Sequence, residues 1–169
     1  MTKWYQDGGF LRLLDAVAAY PRPKGELANW LSEANKSSHD ILFAIRTLEE
    51  DRLLGYVELD GILWNQQVAH VSIAIGERAY WGRGYGADAL RLALRFGFDE
   101  LNLHRVGTTV FSYNTRALAL YEKLGFQREG VLREFLHRDG KRYDMYWYGL
   151  LRHEWENKKA IDSSTQSPV

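Results

Sequence analysis

The sequence predicts an α+β fold with a mixed, mostly antiparallel central sheet flanked by helices. Three observations carry this. Three runs rich in branched and aromatic residues follow one another between Ile41 and Ile75. A glycine-led amphipathic helix is followed by a strand, and Asp139-Gly140 sits between two further apolar runs. No internal repeat or linker divides the 169 residues, a length that suits one domain.

Residues Asp7 to Tyr20 carry Phe10, Leu11, Leu14 and Val17 at helical spacing, and Pro21 and Pro23 end the pattern because proline lacks a backbone donor. A second helix is expected from Gly25 to Ala34, with Leu27, Trp30 and Leu31 on one face, before a polar loop from Asn35 to Asp40. Ile41 to Thr47, Leu53 to Leu59 and Val68 to Ile75 then read as an antiparallel meander, with turns at Glu49 to Arg52 and at Gly61 to Gln67. Gly82-Arg83-Gly84-Tyr85-Gly86 leads into a helix whose inner face is Leu90, Ala93, Leu94, Gly97 and Leu101. A strand from Arg105 to Ser112 follows. The next helix, Asn114 to Leu124, has Asn114 as its N-cap and Gly125 at the left-handed position beyond its end. Val131 to His137 and Lys141 to Leu151 flank Asp139-Gly140, a strong hairpin signal. Residues 158–169 are polar and are expected to form a flexible tail to a domain spanning 1–157.

Composition narrows the functional classes. Lys and Arg number 22, and so do Asp and Glu, so no overall field gathers a nucleic acid or an anionic membrane. With no cysteine there is no disulfide, no thiolate metal site and no cysteine nucleophile. The five histidines lack ligand spacing, and no metal is expected. The N-terminal residues lack the basic flank and apolar stretch of a secretion signal, which makes the cytoplasm the expected compartment.

Glycines between a strand and a helix serve several chemistries. Gly84-Tyr85-Gly86-Ala87-Asp88-Ala89 fits the dinucleotide pattern G-x-G-x-x-G/A. It stands too far from the preceding strand, however, and the strand ending near Ser112 offers no acid for a ribose. A P-loop would need Lys-Ser/Thr after its last glycine, where Ala87 and Asp88 stand. What remains is either an anion cradle of backbone N–H groups at a helix start, with Arg83 adding charge, or a turn that permits tight packing.

Two motifs in order decide between these: IAIGERAYWGRGYGADAL, Ile73 to Leu90, and Asn114-Thr-Arg-Ala-Leu-Ala-Leu-Tyr-Glu-Lys-Leu-Gly-Phe126. Together they resemble the GNAT superfamily of N-acetyltransferases. Tyr80-Trp81-Gly82 and the segment from Arg128 to Trp155 resemble more narrowly the branch of RimJ/RimL-type ribosomal-protein N-terminal acetyltransferases and spermidine acetyltransferases. Two departures stand out. Trp81 occupies a position usually held by Gln or Arg, although this branch often carries Trp there. The strand that usually precedes the first helix is lacking, which implies that the strand from Ile41 is a bare sheet edge. Such edges are ordinarily protected, here by residues further upstream or by a second copy in a homodimer.

The resemblance implies acetyl-CoA as co-substrate. It assigns the pyrophosphate to backbone N–H groups of Arg83, Gly84, Tyr85, Gly86 and Ala87, and the pantetheine amides to the main chain of Ile73, Ala74 and Ile75. A donor near Ala74 would polarise the thioester carbonyl, where charge develops in the tetrahedral intermediate. Asn114 is a further cofactor contact beside its capping role, and Arg116 and Lys123 are candidates for the 3′-phosphate. Tyr121 becomes the general acid that protonates the departing thiolate; the alternative is a core tyrosine with its hydroxyl satisfied.

The implied acceptor is a primary amine: a protein or peptide N-terminus, a polyamine or another small amine. Glu58, mid-strand among apolar neighbours, is the first candidate for general base because such surroundings raise a carboxyl pKa. His70 and Glu77 come next. Asp15, Glu26, Glu33 and Asp40 are candidates to line the acceptor cleft. The rival function is a non-catalytic acyl-CoA-binding module or sensor.

Overall fold

Asp7 opens helix α1 (Gly8–Leu14), one carboxylate oxygen accepting from the N–H groups of Gly9 and Phe10 at 2.9 and 3.3 Å. The helix stops at Leu14 rather than continuing to Tyr20, because Asp15 is extended and accepts from the Val17 N–H at 3.2 Å. That side-chain bond offers the backbone an alternative to another helical turn. The computed structural model describes residues 1–165. Helix α2 (Lys24–Lys36) starts directly after Pro23, whose missing N–H costs nothing at a helix start.

The chain divides into two compact units, Met1–Ile62 with His70–Ala93, and Leu63–Ala69 with the chain from Leu94 onward. In the first unit the strands β1 (Ile41–Arg46), β2 (Leu53–Leu63) and β3 (Val68–Ile75) lie in that order, with β1 at the edge and antiparallel to β2. Strand β2 runs beyond the expected Leu59 to Leu63. The Gly61 N–H donates to Asp40 at 3.0 Å, and glycine tolerates the φ of 58° found there. Gly55 is required in β2, since a Cβ there would stand 1.9 Å from the Ala74 carbonyl oxygen of β3. Trp4, Phe10, Leu11, Tyr56 and Ala74 form a buried apolar cluster, with Tyr5, Leu14 and Trp30 packed against it. Helix α3 (Tyr85–Arg95) follows the glycine-rich bend. Leu90, Ala93, Leu94 and Gly97 are buried as the amphipathic pattern requires, but from Phe96 to Glu100 the helix widens into a π-turn.

In the second unit β6 (Lys141–Leu151) pairs antiparallel with both β4 (Arg105–Phe111) and β5 (Gln127–Arg138), giving the order β4-β6-β5. Asp139 and Gly140, at φ 50° and 73°, make the expected hairpin turn. Helix α4 (Thr115–Lys123) is capped by Asn114, whose side-chain oxygen accepts from the Ala117 N–H at 3.2 Å. Gly125 follows it at φ 97°. Helix α5 spans Arg152–Thr165, so the part of the expected tail from Lys158 to Thr165 continues a helix, while 166–169 lie outside the described residues. No helix among the described residues is long and apolar enough to cross a membrane.

Candidate active site

Gly82 and Gly84, at φ 73° and 90°, bend the chain between β3 and α3. Such conformations strain any residue with a Cβ. The Asp88 N–H bonds the Gly84 carbonyl at 3.0 Å and closes the first helical turn. The N–H groups of that turn have no intrahelical acceptors, and the helix dipole adds partial positive charge. Nothing lies within 4 Å of where a Cβ of Gly82 or Gly84 would stand, so an anion can approach the main chain there. Two guanidinium groups add to the field. Those of Arg83 and Arg52 lie 5.5 and 5.6 Å from the centre of the Tyr80 ring, which also meets Tyr85 edge-on at 5.5 Å. Arg52 carries no local sequence signal for this, because it comes from the turn between β1 and β2.

Trp81 points away from any phosphate role for its side chain: its indole N–H donates to the Ile75 carbonyl at 2.7 Å. One of the main-chain groups assigned to pantetheine is therefore already engaged. Ile73 is partly exposed, whereas Ala74 is buried in the cluster that holds Tyr56.

Glu58 lies on β2 two residues beyond Tyr56, so both project from the same face. They line a cleft of about 310 Å³ with Tyr5, Asp15, Arg22, Glu26, Trp30 and Ser72. A second cleft of about 400 Å³ shares Trp30 and Glu58 and adds Glu33 and Asp40. All four acids expected near an acceptor thus line one or other cleft with Glu58. The hydroxyls of Tyr5 and Tyr56 are 2.8 Å apart, and the Trp30 ring lies 5.3 Å from that of Tyr56. Ser72, Tyr5 and Tyr56 were not singled out from sequence. Ser72 could have been found, since period two in β3 puts it on the same face as Ala74.

Burial, reinforced by the charges of Asp60 and Asp40, pushes the Glu58 carboxyl up to about 7. Asp60 is raised by burial too, whereas the Ser37 hydroxyl, 2.7 Å from Asp40, holds that carboxyl below its usual range. Glu77 is poorly suited to be a base. It pairs with Lys3 and accepts from the Trp4 indole N–H at 2.8 Å, and the Lys3 ammonium above all keeps it ionised. His70 is exposed. Arg22, just before α2, forms an ion pair with Glu26 of that helix at the wall of the first cleft.

The second unit carries the remaining candidates on α4. Tyr121 is 4% exposed and its ring meets Phe126 edge-on at 5.2 Å. Arg116 and Lys123 are exposed on the same helix, and Asn114 caps it as expected. Among the described residues no group of three or more His, Asp or Glu side chains forms a metal site.

Comparison with known proteins completes the assignment. The profile of the Acetyltransferase (GNAT) domain matches residues 1–127. The SPbeta prophage-derived uncharacterized N-acetyltransferase YokL of Bacillus subtilis is 30% identical over 150 residues, 89% of this chain and 82% of that protein. The spermidine N(1)-acetyltransferase of Vibrio cholerae is 31% identical over 127 residues, 73% of this chain and 72% of that one. A crystal structure of spermidine N-acetyltransferase from Vibrio cholerae, in complex with CoA and spermine, has the same fold, with a TM-score of 0.82 at 24% identity over 92% of this chain and 90% of that chain. The chain belongs to the GNAT family, and is an N-acetyltransferase with acetyl-CoA as co-substrate.

Proposed function

We propose that the acceptor is a polyamine or a similar small amine bearing a second positive charge, acetylated by direct attack on the thioester in a ternary complex. The observation that carries this is the grouping of Asp15, Glu26, Glu33 and Asp40 around two clefts that share Glu58 and Trp30. Carboxylates beside an aromatic face suit an alkylammonium chain. The relative from Vibrio cholerae named as a spermidine acetyltransferase supports the same class. We place the reaction in the cytoplasm.

In this reading the first turn of α3 and the bend hold the diphosphate, and β3 carries the pantetheine arm. An alkylammonium with a pKa near 10.4 is roughly one part in two thousand neutral at pH 7, a cost of about 4.5 kcal/mol. A peptide α-amine costs only about 1 kcal/mol, so a base matters more for a polyamine. Glu58, poised near neutrality, takes that proton. The other acids hold the distal ammonium, whose proton they stabilise. The freed amine attacks the carbonyl carbon, the resulting cationic nitrogen of the tetrahedral intermediate gives its surplus proton to solvent, and the intermediate collapses to the amide as its C–S bond breaks. Tyr121 gives its hydroxyl proton to the thiolate, and solvent reprotonates the phenolate.

Release of CoA thiol, measured against spermidine, spermine, simple monoamines and peptide α-amines, tests this. The expected result is a kcat/KM for the polyamines at least tenfold above the rest, as fits an extra ammonium bound by carboxylates. Preference for a peptide α-amine would overturn the acceptor. No turnover with any amine alongside retained CoA binding would favour the non-catalytic module.

A further inference from the structure

The segment between β3 and the glycine bend, residues 76–81, is held from outside by the N-terminal residues. A Cβ at Gly76 would come 2.0 Å from a ring carbon of Trp4, so that indole lies directly on the main chain. Glu77 is fixed by Lys3 and Trp4. Arg78 is fixed by Asp7, one carboxylate oxygen accepting from its Nε and Nη2 at 2.9 and 2.7 Å while the other oxygen caps α1. The Arg78 guanidinium in turn lies 5.1 Å from the centre of the Trp81 ring, whose N–H is spent on Ile75. The contacts form one continuous chain: helix cap, carboxylate, guanidinium, indole, strand end.

We infer that Arg78 is a positioning residue for the coenzyme: by joining Asp7 to Trp81 it holds the phosphate-binding main chain at a fixed height above the end of β3. This rests on the reading that the bend takes the diphosphate. Backbone N–H groups recognise an anion only if they converge, and a glycine-rich bend is the part of the chain least able to fix its own conformation. The planar, always charged guanidinium suits the task, because it binds a carboxylate with its edge while stacking on an aromatic ring with its face. The approach of Gly9 to Arg78 fits this, since a Cβ there would come within 2.8 Å of Nη2. The same helix α1 ends at Leu14 and Asp15 on the acceptor cleft, so one short element borders both substrates.

The test compares Asp7→Asn, which retains a helix cap but loses the charge, with Arg78→Gln, their double variant, Arg78→Lys and Trp81→Phe. Titration calorimetry with CoA and steady-state kinetics are the readouts. Asp7→Asn and Arg78→Gln are each expected to weaken CoA binding, and raise KM for acetyl-CoA, about five- to tenfold, with a double variant no worse than either single one. The change in kcat should stay within about twofold, because the contacts hold the coenzyme in ground and transition state alike. Arg78→Lys is expected to restore the affinity only in part, and Trp81→Phe to lower it without loss of the ring stack. Unchanged CoA affinity in Asp7→Asn and Arg78→Gln would overturn the inference and leave the coenzyme site standing. Failure of the wild-type protein to bind CoA would overturn both. Additive losses that track the melting temperature would assign the pair to stability alone and overturn the positioning role.

Discussion

The Tyr148 hydroxyl of β6 donates to a carboxylate oxygen of Glu122 on α4 at 2.7 Å. Glu122 adjoins Tyr121, so this bond fixes the rotation of the helix that carries the proposed acid. Burial first, and then the Glu122 charge, push the Tyr148 phenol above its ordinary pKa and keep it a neutral donor. Tyr148→Phe should lower stability by about 1 kcal/mol, read as a shift in denaturant midpoint, because the bond is part-buried and water can replace the lost donor at the exposed Glu122 carboxylate.

Tyr121→Phe should separate chemistry from packing. The phenyl ring keeps its edge-on contact with Phe126, so stability and CoA affinity should hold, while turnover falls about 10²-fold or more through loss of the acid. Equal turnover in the two proteins removes Tyr121 from the mechanism.

Glu58 makes a prediction about pH. In wild type kcat/KM should rise as pH passes about 7, and this limb should vanish in Glu58→Gln, with turnover at neutral pH lower by about 10²-fold. The linkage to stability has the opposite sense. The folded pKa lies above the ordinary 4.5, so the contribution of Glu58 to stability is present below that value and is lost as pH rises through about 7. Because the group is only half-buried, solvent screening reduces the effect to about 1 kcal/mol. Glu58→Gln should therefore melt roughly 2–4 °C higher than wild type at pH 8 and show no such gain at pH 4.

Gly84 adopts a φ of 90° with open space around it, so a side chain there meets strain rather than a clash. Gly84→Val should cost about 1–3 kcal/mol of stability. It should also weaken CoA binding about tenfold by disturbing the N–H groups proposed to hold the diphosphate, as calorimetry would report.

At the proposed acceptor cleft the order of effects matters more than their size. Asp15→Asn should raise KM for spermidine a few fold, whereas Glu26→Gln should raise it more, because it leaves the Arg22 guanidinium uncompensated at the wall. Arg22→Gln should lower KM. All three differences should shrink in 0.5 M salt, where screening acts over only a few ångströms.

Local chemistry made much of the chain legible. Asn114 as a cap, Gly125 beyond the helix and Asp139-Gly140 as a turn each depend on neighbours a few residues away, and each stands where such residues are read to stand. Glu58 could be singled out because apolar strand neighbours are expected to raise a carboxyl pKa, and its raised pKa accords with that, although an alternating strand could equally have left it as a solvated surface acid. Misreadings arose where a side chain competed with the backbone. Asp15 ended α1 early, and the exposed residues Gln127 to Glu129 joined β5 without any apolar alternation to announce them. Contacts over long separations left no trace in pattern at all. The pairing of Asp7 with Arg78 spans 71 residues, and the bond from Trp4 to Glu77 spans 73.

The indole of Trp4 occupies the space that a side chain at position 76 would need. Trimming the first few residues, a routine step when a protein is shortened for crystallisation or fused to a tag, would therefore strip the roof from the segment that feeds the bend. Grafting the opening residues of this chain onto a relative would drive that indole into any side chain at the position matching Gly76, so the two stretches must be exchanged together.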